Sequence, residues 1–414
     1  MLLNSKPVVI EDNTKNTSLI VLIFPSKIEL DEDVIKFNIL RQILVSCNNK
    51  LREFVQWKKQ KDSLYLIGYN CNFKIIGKNL YFQFFLEVPK EGLMDDFNID
   101  ECFQFFMDNI FDPYVEDNQF GTKKFQDELN FAISNLEQSI HGFEKENYQK
   151  FMNIIDKDNH LGSNYEISKK KLEELTNEKL YQEYLNRIKN NDFLVYAFGS
   201  ITEEEIERLF TKYHKYSYKN ITINNEFFDI FKENDFNYTL DKCSYQQSAL
   251  YLQFQVEDFE PKDLNYLNLL TNILNVGENN LLFKTLRIDH GLVYGVHLNK
   301  FLYNGFFVEE MYLSKKNKDQ AIELVEDTLK HLVEDKKFLK NCVDKLITGC
   351  EVEIIENSDG DFYDFYNLIY RDLGQSYLSK IVDEYKKFKL NDITHFIKRV
   401  KVTNILFIEG EEND

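Results

Sequence analysis

A strand followed by a helix recurs in this chain, and the two copies lie 230 positions apart. Residues 20–24 and 250–254 have the apolar composition of buried strands, and an amphipathic helix begins at the same distance after each of them. The same offset places Ile39, Leu40, Ile43 and Leu44 on Leu269, Leu270, Ile273 and Leu274. Helical periodicity alone would match apolar positions. Because the strand, the gap and the helix agree together, the sequence predicts a duplicated unit of strands and helices.

The composition is typical of a globular protein that does not bind nucleic acid. The 414 residues suffice for two or three domains, and 43% of them are hydrophobic, including 36 phenylalanines and 24 tyrosines. The formal net charge is −19, whereas phosphate binding needs a concentrated basic face. An acidic surface can favour a cationic peptide, but it more commonly serves only to keep a protein soluble.

The cysteines and the N-terminal segment predict a protein of a reducing compartment. Six cysteines are scattered without a C-x-x-C pair, which favours reduced and mostly buried thiols. The N-terminal segment lacks a sustained apolar region, so we expect no signal peptide. No stretch reaches the roughly 18 apolar residues of a membrane span. We therefore predict a cytoplasmic protein without a membrane span.

Apolar periodicity predicts the elements of the first half and a boundary after them. Strands are predicted at 7–10, 18–24, 63–72, 79–88 and 193–198, and helices at 31–45, 49–59, 98–111, 120–152 (one helix or two), 170–188 and from 200 onward. The stretch 215–236 is polar, aromatic and weakly patterned, and we predict that it is a linker. The predicted domains are therefore residues 1–214 and residues 237–414, with 215–236 between them.

The stretch 281–298 carries the most informative polar residues. Its first part has the spacing of a helix, Gly291 supplies a helix stop, and residues 292–298 alternate as a strand would. The alternation puts Tyr294 on the same face as Val296 and Leu298. Arg287 would then leave the last helical turn and Tyr294 the following strand, so that a guanidinium and a phenol converge on one ligand. The alternative from the residues alone is that Arg287 caps the helix carbonyls and Tyr294 belongs to the core.

The pattern L-R-x-x-x-G-L-x-Y-x-V resembles the C-terminal "R/Y" motif of the M16 zinc peptidases, the relatives of insulinase and of the mitochondrial processing peptidase. In these proteins the Arg and the Tyr contact substrate near the scissile bond, which implies that role for Arg287 and Tyr294. A glycine-containing strand at 304–307 and a long helix at 319–334 follow, as in the family. One position departs from the pattern, because Ile288 stands where an acidic residue commonly follows the Arg. The resemblance implies an α+β fold of two homologous M16-type domains, each a largely antiparallel sheet covered by helices.

The zinc-binding motif of active M16 chains is missing from the position where the resemblance places it. Active members carry H-x-x-E-H on the first long helix, where two imidazoles hold the metal and the Glu activates water. The corresponding segment here is 31–45, and the first histidine of the chain is His141. We therefore expect no metal site in this chain. Glu128 lies on the helix that supplies an acidic zinc ligand in active relatives, and without the histidines we expect it to be a surface or network carboxylate.

These observations predict the zinc-less subunit of a heterodimeric M16 metallopeptidase. The partner would be an M16 chain that bears H-x-x-E-H and holds the zinc, so this chain would not be catalytic alone. Arg287 and Tyr294 would bind peptide substrate and stabilise the transition state at the partner's zinc. Peptide maturation or leader removal is the expected process. The alternative is a non-proteolytic peptide-binding or scaffold protein that keeps the same clamshell fold.

Overall fold

The computed structural model describes residues 2–4, 6–28, 34–65, 68–76, 78–157, 161, 164–214, 220–222, 236–275, 280–358, 362–374 and 377–411. The predicted linker 215–236 therefore lies outside the described residues, apart from 220–222 and 236. The described residues divide into two compact units, one within 1–140 and 158–227 and the other within 141–157 and 228–414. No described helix is long and apolar enough to cross a membrane.

The strands come in chain order as β1 (Leu2–Asn4), β2 (Val8–Glu11), β3 (Thr17–Lys27), β4 (Gly68–Ile76), β5 (Asn79–Pro89), β6 (Val115–Glu116), β7 (Gln119–Phe120), β8 (Leu194–Gly199), β9 (Asn220–Thr222), β10 (Asn237–Lys242), β11 (Ser248–Val256), β12 (Val293–Phe301), β13 (Phe306–Leu313) and β14 (Val400–Glu409).

The helices are α1 (Lys36–Leu44), α2 (Phe54–Ser63), α3 (Ile99–Phe111), α4 (Thr122–Ser139), α5 (Phe143–Ile155), α6 (Tyr165–Glu173), α7 (Asn177–Tyr184), α8 (Glu203–His214), α9 (Leu264–Asn275), α10 (Leu281–Phe283), α11 (Lys318–Glu334), α12 (Lys336–Ser358), α13 (Tyr363–Asp372), α14 (Leu378–Lys387) and α15 (Leu390–Ile397). Two π-helical turns, Leu185–Lys189 and Lys284–Asp289, extend α7 and α10.

The first unit is built on a five-stranded sheet with the order β2-β8-β3-β5-β4. β2 runs parallel to β8, and the remaining neighbours are antiparallel. Alternate residues of β3, such as Phe24, belong to the same buried core as Phe37 of α1. The residues between them are buried as well, so both faces of this central strand are covered.

The second unit repeats this topology strand for strand. Its sheet has the order β10-β14-β11-β13-β12, and again only the first pair is parallel. The sequence offset carries β3 onto β11 and α1 onto α9. The predicted α+β class, with two related and largely antiparallel sheets, is therefore confirmed.

One helix of the first half belongs to the second unit. The stretch 120–152 forms two helices, α4 and α5, and the chain turns between them at Gly142, whose φ is +103°. α5 packs on the second sheet, where the ring centroids of Phe151 and Tyr251 are 5.3 Å apart and those of Phe143 and Tyr312 are 5.8 Å apart. Helical periodicity predicted the helix, but it cannot predict which of the two sheets packs against the apolar face of the helix.

The predicted helix 170–188 is also divided. α6 ends at Glu173, and α7 begins with Thr176 as its N-cap, whose hydroxyl accepts a hydrogen bond from the Lys179 amide (3.2 Å). This side-chain acceptor satisfies a free amide at the new helix start, so the break is stabilised locally.

Candidate functional site

Arg287 lies in a helical segment that ends where the sequence predicted. Gly291 has φ +64°, and its amide donates to the Arg287 carbonyl (3.2 Å). Leu282 and Leu286 are buried in the second core, which turns Arg287 towards solvent. The last turn is π-helical over Lys284–Asp289. Such turns recur at functional sites, because they insert one residue and re-aim the side chains around it.

Tyr294 leaves β12 at a bulge, and this corrects the predicted face. Val293 pairs with Leu313 and Gly295 with Tyr312, so Tyr294 is an extra residue in the strand. Its side chain is 59% exposed, whereas Val296 and Leu298 are buried at 6% and 9%. The prediction that Tyr294 shares a face with Val296 and Leu298 is therefore wrong, because strict alternation requires a strand into which no extra residue is inserted. The exposure also excludes the alternative that Tyr294 belongs to the core.

The two polar side chains flank one tight turn. Arg287 Nη1 donates to the Val293 carbonyl (2.7 Å), so the guanidinium is held at the residue that precedes Tyr294. The Tyr294 hydroxyl lies 3.2 Å from Ser314 Oγ. Arg287 thus contacts a strand carbonyl and does not cap its own helix. The contact to Val293 uses one of the five N–H donors of a guanidinium, and the others remain for a ligand.

The charge of Arg287 is not cancelled by the nearest acid of its own segment. Asp289 forms an ion pair with Lys284 instead, at 2.6 Å. His290 has Nδ1 2.8 Å from the Thr285 carbonyl and so stabilises the turn. A fixed guanidinium next to an exposed phenol can bind a carbonyl oxygen or an oxyanion from two directions.

A cluster that sequence analysis did not predict lies on the same sheet face as Tyr294. Glu310 of β13 is 8% exposed, and its carboxylate accepts hydrogen bonds from the Tyr312 hydroxyl and from Asn299 Nδ2 (3.5 Å). Burial raises the pKa of Glu310, which the Tyr312 hydrogen bond and the charge of His297 oppose. His297 is the direct cross-strand neighbour of Glu310. In the sequence, this cluster is visible only as charged or polar residues inside predicted strands. Which of these residues face each other depends on the strand register, which the sequence does not give.

A cavity of about 710 Å³ lies in the second unit beneath the segment that carries Arg287. Lys284, Thr285 and Asp289 line one side of it, and residues of α12 such as Cys342 and Cys350 line another. Neither Arg287 nor Tyr294 is among its lining residues. Arg287 and Tyr294 therefore lie outside this cavity.

One family model matches the middle of the chain. Residues 156–348, which include Arg287 and Tyr294, match the family model described as the peptidase M16 inactive domain. Over these residues the chain is similar to the M16 peptidases. A search of the curated proteins finds no match to the sequence.

Solved structures with the same M16-like fold cover nearly the whole chain. A conserved protein from Enterococcus faecalis has a TM-score of 0.80 at 16% identity, covering 98% of this chain and 96% of its own. A protease from Helicobacter pylori has a TM-score of 0.72 at 13% identity, with 97% and 96% covered. A peptidase M16 inactive domain from Pseudomonas fluorescens has a TM-score of 0.70 at 13% identity, with 98% and 95% covered. At these identities the likeness concerns the fold.

The zinc slot of the M16 resemblance does not fit the metal in this chain. The positions of α1 that are not buried in the core include Asn38, Arg41 and Gln42, which have the i, i+3, i+4 spacing of the zinc motif but no imidazole. Glu128 of α4 forms an ion pair with Lys124 (2.6 Å), which agrees with the expected network carboxylate. Within the described ranges, no group of three or more His, Cys, Asp or Glu side chains is arranged to hold a metal ion. No catalytic step is therefore derived through zinc bound to this chain.

Proposed function

We propose that this chain is the zinc-less subunit of a heterodimeric M16 metallopeptidase. The observation that supports the proposal most directly is the asymmetry between the two units. The second unit exposes Arg287 and Tyr294 at a well-formed turn, whereas α1 of the first unit lacks every histidine of the zinc motif. A half-site of this kind needs a second chain that bears H-x-x-E-H.

The proposed role of the two side chains follows from their chemistry. Arg287 and Tyr294 bind the backbone carbonyl of a peptide and stabilise the negative charge that develops on its oxygen. The guanidinium is already positioned by Val293, so little reorganisation accompanies the reaction. The metal of the partner subunit supplies the activated water. Peptide maturation, such as the removal of a leader segment, is the process that we propose for the pair.

Co-expression with an H-x-x-E-H chain encoded in the same genome tests the assembly. We expect a 1:1 complex by size-exclusion chromatography, and peptide cleavage that neither chain performs alone. A chain that stays monomeric or homodimeric in the presence of every such candidate would instead support the alternative, a peptide-binding or scaffold protein.

Substitutions in the reconstituted pair test the site. Tyr294→Phe removes one hydroxyl and keeps the ring, and losing one oxyanion donor lowers turnover by roughly 10²–10³. Arg287→Ala is expected to be at least as damaging, because a charge-assisted donor is the stronger kind. Both variants should assemble and melt as the wild type does, since both side chains are exposed. Full activity in both variants would show that the motif only stabilises the fold.

A further inference from the structure

His297 occupies a position that an extended peptide bound at Tyr294 would reach. Because Tyr294 is the extra residue of the bulge, three regular strand steps separate Val293, which Arg287 contacts, from His297, and at ~3.3 Å per step this is about 10 Å. Both side chains are exposed, and His297 lies on the sheet face opposite to the one where Val296 and Leu298 are buried, which is the face on which α5 packs at Tyr251 and Tyr312. β12 is also the terminal strand of its sheet. A peptide that runs along this strand has the same rise per residue, so a peptide group three residues from the Arg287 contact would lie beside His297.

Gly295 lies beside the side chains of His297 and Tyr312. A Cβ added at this position would lie 3.7 Å from His297 Nε2 and 3.7 Å from Tyr312 Cδ2, which are ordinary contact distances. The imidazole therefore leans over the glycine and past the ring of Tyr312, whose centroid is 6.3 Å from that of His297. A glycine inside a strand frequently marks a place where another backbone approaches closely.

Glu310 provides a reason for the imidazole to keep this position. The carboxylate is nearly buried and is held from two sides by Tyr312 and Asn299, so it is itself fixed. It lies opposite His297 in the strand pairing, and the two groups interact electrostatically. A carboxylate beside a histidine orients the ring and selects the tautomer that donates to it.

We propose that His297 is a third peptide-contacting residue of the Arg287/Tyr294 half-site and that Glu310 is its positioning residue. The imidazole hydrogen-bonds the backbone of an extended peptide about three residues from the carbonyl held by Arg287. The inference rests on the proposed peptide-binding function and extends the site along β12.

Two substitutions of His297 separate hydrogen bonding from ring packing. His297→Phe keeps an aromatic ring next to Tyr312 but removes both nitrogens, whereas His297→Gln keeps a donor and an acceptor but removes the ring. The reconstituted pair, in which the glutamate of the partner's H-x-x-E-H is changed to glutamine so that peptide is bound and not cleaved, is titrated into fluorescein-labelled casein peptides, which are unstructured, and binding is followed by fluorescence anisotropy. We expect His297→Phe to weaken binding about fivefold and His297→Gln to stay within about twofold of the wild type.

The controls distinguish failure of this inference from failure of the proposed function. His395→Phe changes an exposed histidine of α15 in the same way and should leave binding unchanged. If Arg287→Ala weakens binding but His297→Phe binds as the wild type does, the His297 assignment is overturned and the half-site stands. If the wild-type pair does not bind the peptides, or if Arg287→Ala is silent as well, both proposals are overturned.

Glu310→Gln tests the positioning role by a readout that packing alone would not change. The amide is nearly isosteric and can still accept from Tyr312, so the fold should be retained. We expect the imidazole nitrogen chemical shifts of His297 to move as its tautomer populations change, while those of His395 stay constant. Unchanged His297 shifts would remove Glu310 from the site.

Discussion

At the scale of single residues, the most unusual side chain of the second unit is Glu309. It is 0% exposed, and among the residues that the structure describes neither carboxylate oxygen has a hydrogen-bond partner. Its cross-strand neighbours on the helix-covered face are Leu252 and Leu298. Burial raises the pKa of Glu309 well above its ordinary value, because the charged form has lost its hydration. Such a group lowers the stability of the fold instead of contributing to it.

Replacing Glu309 by methionine should therefore stabilise the protein. The change removes an unsatisfied polar group and keeps a side chain of similar length, which predicts a gain of about 1–3 kcal/mol. The folded-state pKa of Glu309 is raised, so this group destabilises the fold least below the unfolded pKa of 4.5 and destabilises it increasingly as the pH rises above that value. The stabilisation by Glu309→Met should thus be small near pH 4.5 and grow towards neutral pH.

Thermal unfolding of both proteins across this pH range checks the prediction. Glu326→Met is the matched control, because Glu326 is exposed on α11 and should show no such growth. A constant difference in melting temperature between wild type and Glu309→Met would contradict the proposed protonation of Glu309.

The residue scale also shows where sequence reasoning about the site succeeds. The helix stop at Gly291 and the order Arg287, turn, Tyr294 follow from local chemistry, since only glycine adopts the required positive φ without strain. The face of Tyr294 was not predictable. It depends on one inserted residue in β12, and a bulge is defined by the partner strand, which the local sequence does not contain.

At the scale of elements, α5 is the helix whose packing is least local. Its sequence predicted a helix, but its partner strand β11 lies about a hundred residues further along the chain. Phe151 is fully buried and stacks on Tyr251, and Lys150 forms an exposed ion pair with Asp241 (2.7 Å). The aromatic contacts, and not the ion pair, should therefore hold this helix on the sheet.

Two alanine substitutions on α5 separate these contributions. Phe151→Ala leaves a cavity against the sheet and should cost about 3–5 kcal/mol. Lys150→Ala breaks a pair whose side chains are both 44% exposed, and should change stability by less than about 1 kcal/mol. Denaturant unfolding followed by circular dichroism measures both. Equal effects of the two changes would mean that α5 is held by its charges.

At the scale of the whole molecule, the duplicated sheets explain how one unit can lose a site while the fold persists. α1 and α9 occupy equivalent places, and each buries an apolar face in its own core. The core-forming residues of α1, such as Phe37, Leu40 and Ile43, determine the fold, whereas the zinc motif needs only the positions that face away from the core. The duplication was predictable because it depends on the spacing of apolar residues, which the sequence gives directly. Metal binding requires particular side chains, so the prediction that α1 holds no zinc rests on its lack of histidines and stays a prediction.

Because the core-forming residues of α1 and the positions of the zinc motif are different residues, we predict that a metal site can be introduced into this chain without changing its fold. Asn38, Arg41 and Gln42 are exposed or half-buried, so Asn38→His, Arg41→Glu and Gln42→His place H-x-x-E-H on α1 and leave its buried residues unchanged. Two imidazoles with a carboxylate such as Glu128 and a water complete a tetrahedral zinc site. We expect the wild type to bind no stoichiometric zinc, and the triple variant to bind about one zinc per chain with a raised melting temperature, because a ligand that binds only the folded state stabilises it.

Metal analysis after dialysis and thermal unfolding with and without zinc measure this outcome. The same triple variant with Glu128→Gln serves as the control, and it should bind zinc more weakly if Glu128 is the third ligand. A triple variant that folds but holds no more zinc than the wild type would show that α1 is not the equivalent of the zinc helix. The asymmetry on which the heterodimer proposal rests would then disappear, because the absence of histidines from α1 would say nothing about a lost active site.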